Sequence, residues 1–276
     1  LQAQNFTTAT DSNNTAVGHN AGNDITTGVS NTIVGSLAGD ALTDADHNTA
    51  VGAGALTSDT LGSKSTALGK NALYTQNFTT ATDSFNVAVG HEAGLLITTG
   101  THNTLIGATA GDAITSGNNN VAIGYQALTS NTLSDVNVAI GNFALATLNH
   151  TTSTDAYNVA IGHSAGGAVT TGINNTLIGG LTGDALTTGS YNVAVGFEAL
   201  STEDAHGNNV AVGNRALKTL NAGAAGLNVA VGDDAGTAIT TGIQNVLIGA
   251  IAGDALTDAD YNVAVGYGAL SSDTLG

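Results

Sequence analysis

The sequence contains no cysteine, proline, methionine or tryptophan, and phenylalanine and tyrosine together supply only 4% of its 276 residues. Without cysteine there is neither a disulfide framework nor a thiolate metal site. A core of this size is normally filled with bulky aromatics. Their scarcity means that small aliphatics fill a thin core, as they do when short strands stack in layers. Charge is scarce too, at 9% of residues, and one sign dominates: 21 acids against four bases give a formal charge of −17. Phosphate backbones and anionic headgroups repel such a chain, which excludes nucleic acid and anionic membrane surfaces as partners. No apolar run approaches the roughly 20 residues of a spanning helix, so no membrane insertion is expected. There is also no initiator methionine and no charged leader followed by an apolar stretch. The expectation is a processed product or a segment of something longer.

What is present is a repeat. A pentad of the form Asn-(Thr/Val)-(Ala/Leu/Ile)-(Val/Ile/Leu)-Gly occurs fifteen times, closing at Gly18, Gly35, Gly52, Gly69, Gly90, Gly107, Gly124, Gly141, Gly162, Gly179, Gly196, Gly213, Gly232, Gly249 and Gly266. Eleven of the fourteen spacings are 17 residues; the others, 21, 21 and 19, fall after every fourth coil and define super-repeats of 72, 72 and 70 residues. Four coil types alternate. In the first, such as Asn86 to Gly100, and the second, such as Asn103 to Gly117, a Gly follows the post-pentad Ala and the next aliphatic is delayed to Ile97 or Ile114. In the third, such as Asn48 to Gly62, and the fourth, such as Asn137 to Tyr157, the aliphatic follows at once, as in Leu128 and Leu145. The fourth carries the insertion, and Leu73 to Phe85 and Leu145 to Tyr157 are expected to bulge. Leu1 to Ser12 matches Leu73 to Ser84 and Leu270 to Gly276 matches Leu56 to Gly62, so residues 1–276 read as one continuous array.

The pentad is too short and too β-branched for a helix and reads as a strand. Its second and fourth positions share one face and its third points to the other. Both faces are apolar, so both need cover: one lines the inside of its own coil and the other calls for copies of the same chain around a shared axis. Gly at the fifth position, as at Gly90, Gly107, Gly124 and Gly141, suits a structural turn or close backbone approach. Ala follows three places later in every coil but one, where Thr182 stands, and packs beneath the next coil. Asn opens every pentad except at Ser65, and stacked residues such as Asn86, Asn103, Asn120 and Asn137 form an amide ladder. The fold class is therefore all-β, a parallel β-solenoid of about 16 coils of 17 residues in 72-residue super-repeats, roughly 75 Å of homotrimeric rod at about 4.8 Å per coil.

The NVAIG pentads Asn120 to Gly124, Asn137 to Gly141 and Asn158 to Gly162, followed by Ala127, Ala144 and Ala165, resemble the head repeat of YadA-like trimeric autotransporter adhesins. Similar repeats occur in phage tail fibres. The resemblance covers essentially the whole chain and implies a left-handed β-roll, a homotrimer and a role in adhesion. The 17-residue coil is longer than is usual in that family, and Val or Thr stands where its ligand-binding pentads often carry Ser.

Candidate sites are few. His19, His91 and His163 fall in register just after the pentad Gly, and three copies of each would form an imidazole ring able to hold a metal or anion; Asp233 at the fourth place favours plain exposed turn residues. Asp40, Asp44 and Asp46, and again Asp254, Asp258 and Asp260, offer hard oxygens for calcium or simply a solvated acidic edge. Asn5, Asn77 and Asn149 begin acceptor sequons for glycosylation in Thr-rich loops, while Asn221 does not. Thr26, Thr98, Thr170 and Thr240 open Thr pairs that read as too sparse for an ice-binding array. Lys64, Lys70, Arg215 and Lys218, all in fourth-type coils, are the cationic places an acidic glycan would seek. No nucleophile motif or convergent acid pair appears, so neither catalysis nor a cofactor is expected. The functional expectation is a structural, extracellular fibre segment presenting loops to a surface glycan or host-surface protein. The alternative is a self-assembling matrix filament, joined head to tail, in which the fibre itself is the product.

Overall fold

The computed structural model describes residues 1–275; Gly276, the last residue of the C-terminal match, lies outside them. All regular structure among the described residues is β. Two compact units divide the chain, one formed by Leu1–Val136 with His150–Asp155 and the other by Asn137–Asn149 with Ala156–Gly276. Each is a parallel β-solenoid.

In the first unit the pentad strands are Thr15–Val17, Thr32–Val34, Thr49–Val51, Thr66–Leu68, Val87–Val89, Thr104–Ile106 and Val121–Ile123, each paired in parallel with the next. The register is fixed by the repeat: Ala16 faces Ile33 and Ile33 faces Ala50, while Ala67 faces Ala88 across the first insertion. Two residues of each of its insertions add short parallel ladders, Gly62–Ser63 with Thr82–Asp83 and Ser134–Asp135 with Thr154–Asp155. In the second unit Val138–Ile140, Val159–Ile161, Thr176–Ile178, Val193–Val195, Val210–Val212, Val229–Val231, Val246–Ile248 and Val263–Val265 stack in the same way.

The third pentad residue points inward and is fully buried, as at Ile33, Ala88, Leu105, Ala160 and Leu247. The Ala three places after the pentad lies beside it, and where Thr182 replaces it the buried hydroxyl donates to the carbonyl of Gly196. The remaining core volume is filled in one of two ways. Third and fourth coils insert a Leu at once, as at Leu56, Leu73, Leu128 and Leu145; first and second coils place Gly there and fill the space from three residues further on, as at Ile25, Leu42, Ile97 and Ile114. The exchange is steric: a Cβ on Gly94 would lie 2.8 Å from Leu105 Cδ1, 3.0 Å from Leu73 Cδ2 and 3.1 Å from Ile97 Cδ1. Each such aliphatic contributes about 2 kcal/mol by leaving water.

The corners are left-handed. In every coil the residue before the Asn position, the second after the pentad Gly and the fourth after it adopt positive φ near +55°, and most are not Gly: Leu73, Phe85 and Glu92 have φ of 50°, 51° and 58°. An isolated αL residue of this kind costs about 1–2 kcal/mol. Stacking offsets it by giving the strained amide a partner, as when the Glu92 N–H donates to Lys70 O at 2.9 Å and the His102 N–H to Ser84 O at 2.8 Å. The pentad Gly is a different case. Gly90 has φ of +144°, and a Cβ there would collide with the carbonyl of Gly107 in the next coil, so no other residue fits.

A buried file of amides locks the register. Asn86 Oδ1 accepts the Asn103 backbone N–H at 2.9 Å, and Asn103 Oδ1 accepts that of Asn120 at 3.1 Å. The other half of each amide closes its own coil, Asn86 Nδ2 donating to Gly100 O at 2.7 Å and Asn103 Nδ2 to Gly117 O at 2.9 Å. The second unit repeats the arrangement from Asn137 through Asn158 and Asn175 to Asn262. Asn103→Ala removes the acceptor of a buried N–H and the donor to a buried carbonyl. The expected loss is about 2 kcal/mol, read as a lower melting temperature and denaturation midpoint against the parent chain.

Candidate functional site

With the third pentad residue inside, the second and fourth face outward, where Thr or Val and Val, Ile or Leu form two files. These side chains are covered only by their neighbours: Val17 is 57% exposed, Ile106 38% and Ile248 41%. No charged residue occupies either file, although the chain carries −17. Exposed aromatics flank the strands. Tyr191 and Phe197 stand on either side of Val193–Val195, and Tyr261 and Tyr267 on either side of Val263–Val265. Phe197 lies across the small Gly180 of the preceding coil, whose Cβ would meet its ring at 3.6 Å. The outer sheet face is thus a continuous uncharged surface within each unit.

The in-register histidines are all exposed. His91 Nε2 lies 3.7 Å from Glu92 Oε1, and His163 meets the Phe143 ring edge-on with centroids 6.1 Å apart. The two aspartate groups do not converge. Asp44 accepts from the Thr27 hydroxyl at 2.5 Å and Asp46 from the Val29 N–H at 2.7 Å, while Asp40 takes the Thr57 hydroxyl. Asp260 likewise accepts the Ile243 N–H at 2.8 Å, and Asp258 the Thr257 hydroxyl at 3.2 Å. Asp40, Asp44, Asp46 and Asp260 thus each serve an inter-coil hydrogen bond, whereas Asp258 bonds its own neighbour. Among the described residues Asp254 Oδ1 is buried without a partner, and neither group brings three carboxylates within ligating range.

The insertions are tighter than bulges. Leu73, Gln76 and Phe78 are buried in the first and Leu145, Leu148 and His150 in the second, and their longest exposed runs are Thr79, Thr80 and Ala81, and Thr151, Thr152 and Ser153. Their outward reach is therefore a few residues. The sequon residues Asn5, Asn77 and Asn149 are exposed, but Phe78 and His150, at the centres of two of the sequons, are buried. Asn77 also stands in a file with threonines: its N–H donates to Thr98 O at 3.0 Å, and Thr98 Oγ1 donates to Thr115 O at 3.1 Å. Thr26, Thr43 and Thr60 continue this pattern in consecutive coils. The threonines are thus denser than the every-fourth-coil pairs suggested, and their hydroxyls are spent on backbone carbonyls.

Three of the four bases are neutralised. Lys64 pairs with Asp83 at 2.5 Å, Arg215 with Asp234 at 2.5 Å and Lys218 with Glu198 at 2.6 Å, while Lys70 is exposed. These pairs relieve repulsion between acids more directly than they attract an anionic ligand.

Beneath the first insertion lies a buried polar network that the pentad pattern does not reveal. Ser65 breaks the Asn file, and Gln76 takes over: its Nε2 donates to Ser65 Oγ at 2.8 Å and to Asp59 Oδ2 at 2.6 Å, and its Oε1 accepts from Asn86 Nδ2 at 2.9 Å. Asp59 Oδ1 accepts the N–H of Gly62 at 3.0 Å and that of Phe78 at 3.2 Å. Equivalent positions one and two super-repeats on are Asn131 and Glu203, both fully buried. The core beside them is exchanged in pairs. The Phe78 ring rests on Gly62, where a Cβ would meet it at 2.7 Å, whereas Ser134 hydrogen-bonds His150 at 2.7 Å, and the third pair is His206 with Ala222. Aligning the super-repeats exposes these pairs; reading single coils does not.

Burial raises the Asp59 carboxyl above its ordinary value of 3.8 against the lowering effect of Gln76 and the backbone N–H groups. The folded protein then holds this proton more tightly than the unfolded chain. The contribution of Asp59 to stability is therefore full below the ordinary value and is lost as pH rises through the folded one. Asp59→Asn, copying Asn131, should remove that dependence. Paired melts from acidic to neutral pH should show the variant gaining on the parent as pH rises.

No protein-family model matches this chain, and no curated protein shows significant similarity to it.

Proposed function

We propose that this chain is a non-catalytic segment of an extracellular fibre, the head or shaft of a surface adhesin or a phage tail fibre, in which three copies pack around one axis. The observation that carries the proposal is the uncharged outer face of the pentad strands. A chain of −17 associates with itself only through a surface from which its acids are excluded, and the Thr/Val and Val/Ile/Leu files are such a surface. Burying partly exposed side chains such as Ile106, Ile123 and Ile248 supplies the driving force. The resemblance of the pentads to YadA-like head repeats supports the same arrangement and the extracellular setting. The exposed residues of the insertions and the flanking aromatics are the parts left to meet a surface glycan or host-surface protein.

Light scattering on the purified chain tests this. The expected mass is three times the 26.9 kDa of one chain. Ile123→Asp places a charge in the contact, at a cost of several kcal/mol, and should yield monomers that keep their β signal. A parent chain that stays monomeric at micromolar concentration overturns the trimer. Mass that grows without limit, through head-to-tail addition, supports the matrix filament instead.

A further inference from the structure

The third super-repeat differs from the others at one turn. Glu203, Asp204 and His206 bring one ligand atom each to within 4.8 Å of one another, the one such group among the described residues. The equivalent residues are Asp59, Thr60 and Gly62 in the first super-repeat and Asn131, Thr132 and Ser134 in the second, neither of which includes an imidazole or a second acid. From this geometry we infer a divalent-cation site at Glu203, Asp204 and His206, with zinc the best fit.

The chemistry follows from how the three groups are held. The Glu203 carboxylate is fully buried, its Oε1 accepting the His206 backbone N–H at 3.0 Å and its Oε2 the Ala222 N–H at 3.2 Å. It is fixed and shielded from water on the protein side, and a lone pair of Oε1 remains directed at the imidazole. His206 Nδ1 lies 3.2 Å from that oxygen. Zinc bonds nitrogen and oxygen at about 2.0–2.1 Å, and two such ligands at a tetrahedral angle stand about 3.3 Å apart. A zinc ion therefore replaces the hydrogen bond between the two atoms as their shared neighbour, with almost no movement of either. The Asp204 backbone is pinned by the Thr187 hydroxyl, which donates to its carbonyl at 2.7 Å, while its exposed side chain is free to swing in as the third ligand. Water completes the tetrahedron. No cavity opens beside the site among the described residues, so the ion acts as a clamp joining this turn to the third insertion through Glu203 and Ala222. One histidine and two carboxylates favour zinc over calcium, which prefers an all-oxygen shell.

Isothermal titration of zinc into the intact, metal-free chain should show one ion per chain at micromolar affinity and a raised melting temperature. Cobalt in its place should give the absorption bands of a tetrahedral nitrogen and oxygen site. His206→Gln and Asp204→Asn should each weaken zinc binding by more than about tenfold. Asp204 is exposed, so its variant keeps the test valid if His206→Gln fails to fold. Absence of micromolar binding overturns the site. So does binding that both variants leave unchanged, which assigns the metal elsewhere, as to rings of His19, His91 or His163.

Discussion

The whole solenoid depends on one buried carboxamide per coil. Its oxygen takes the next coil's N–H and its nitrogen takes a carbonyl from the end of its own coil, as with Asn103, Asn120 and Gly117. A buried N–H or carbonyl left without a partner is costly, so a coil that slips by one residue loses both bonds and turns its inward aliphatics out. The fixed 17-residue spacing, the inward direction of Leu105 and the close passage of Gly90 against Gly107 all follow from keeping this file intact. Where Ser65 interrupts it, the chain does not leave a gap. Gln76 reaches in from the insertion and Asp59 supports it from below.

Much of this was legible in the sequence, because the repeat converts a difficult reading into a count. Fifteen pentads in fixed order give the strands and their parallel register, since a strand alternates faces and the repeat aligns one coil on the next; which of the two apolar faces turns inward was not legible, because the third and fourth positions are both aliphatic. The left-handed corners were not legible. Phe85, His102 and Tyr191 carry no sign of a positive φ, because nothing local favours it there; the neighbouring coil imposes it. The insertions were half legible. Their length marks them, but the burial of Phe78 and His150 depends on what lies underneath, at Gly62 and Ser134, sixteen residues earlier.

The placement of charge separates the inside, the sheet face and the edges. Acids such as Asp40, Asp44 and Asp46 each accept a hydrogen bond from an adjacent coil, and three of the four bases sit against carboxylates. The mutual repulsion of the acids is thereby confined to surfaces other than the pentad face. Variation follows this division. The inner aliphatic positions change mostly as steric exchanges and polar replacement inside is confined to places such as Ser65, Thr182 and the Asp59, Asn131 and Glu203 set, whereas the flanking positions range from His47 and Asn119 to Tyr191 and Tyr261.

The paired exchange at the insertions restricts how such an array evolves. Tandem copies invite unequal recombination, and neighbouring coils are alike enough for a crossover to fall within any one of them. Yet a break between the positions of Gly62 and Phe78 would join Phe to the Ser of the second copy, or to the His of the third, and place an aromatic ring on a side chain with no room for it. The heritable module is therefore larger than the visible repeat. It spans a third coil together with the insertion that follows, and a change of array length that parts Phe78 from Gly62 is expected to cost stability.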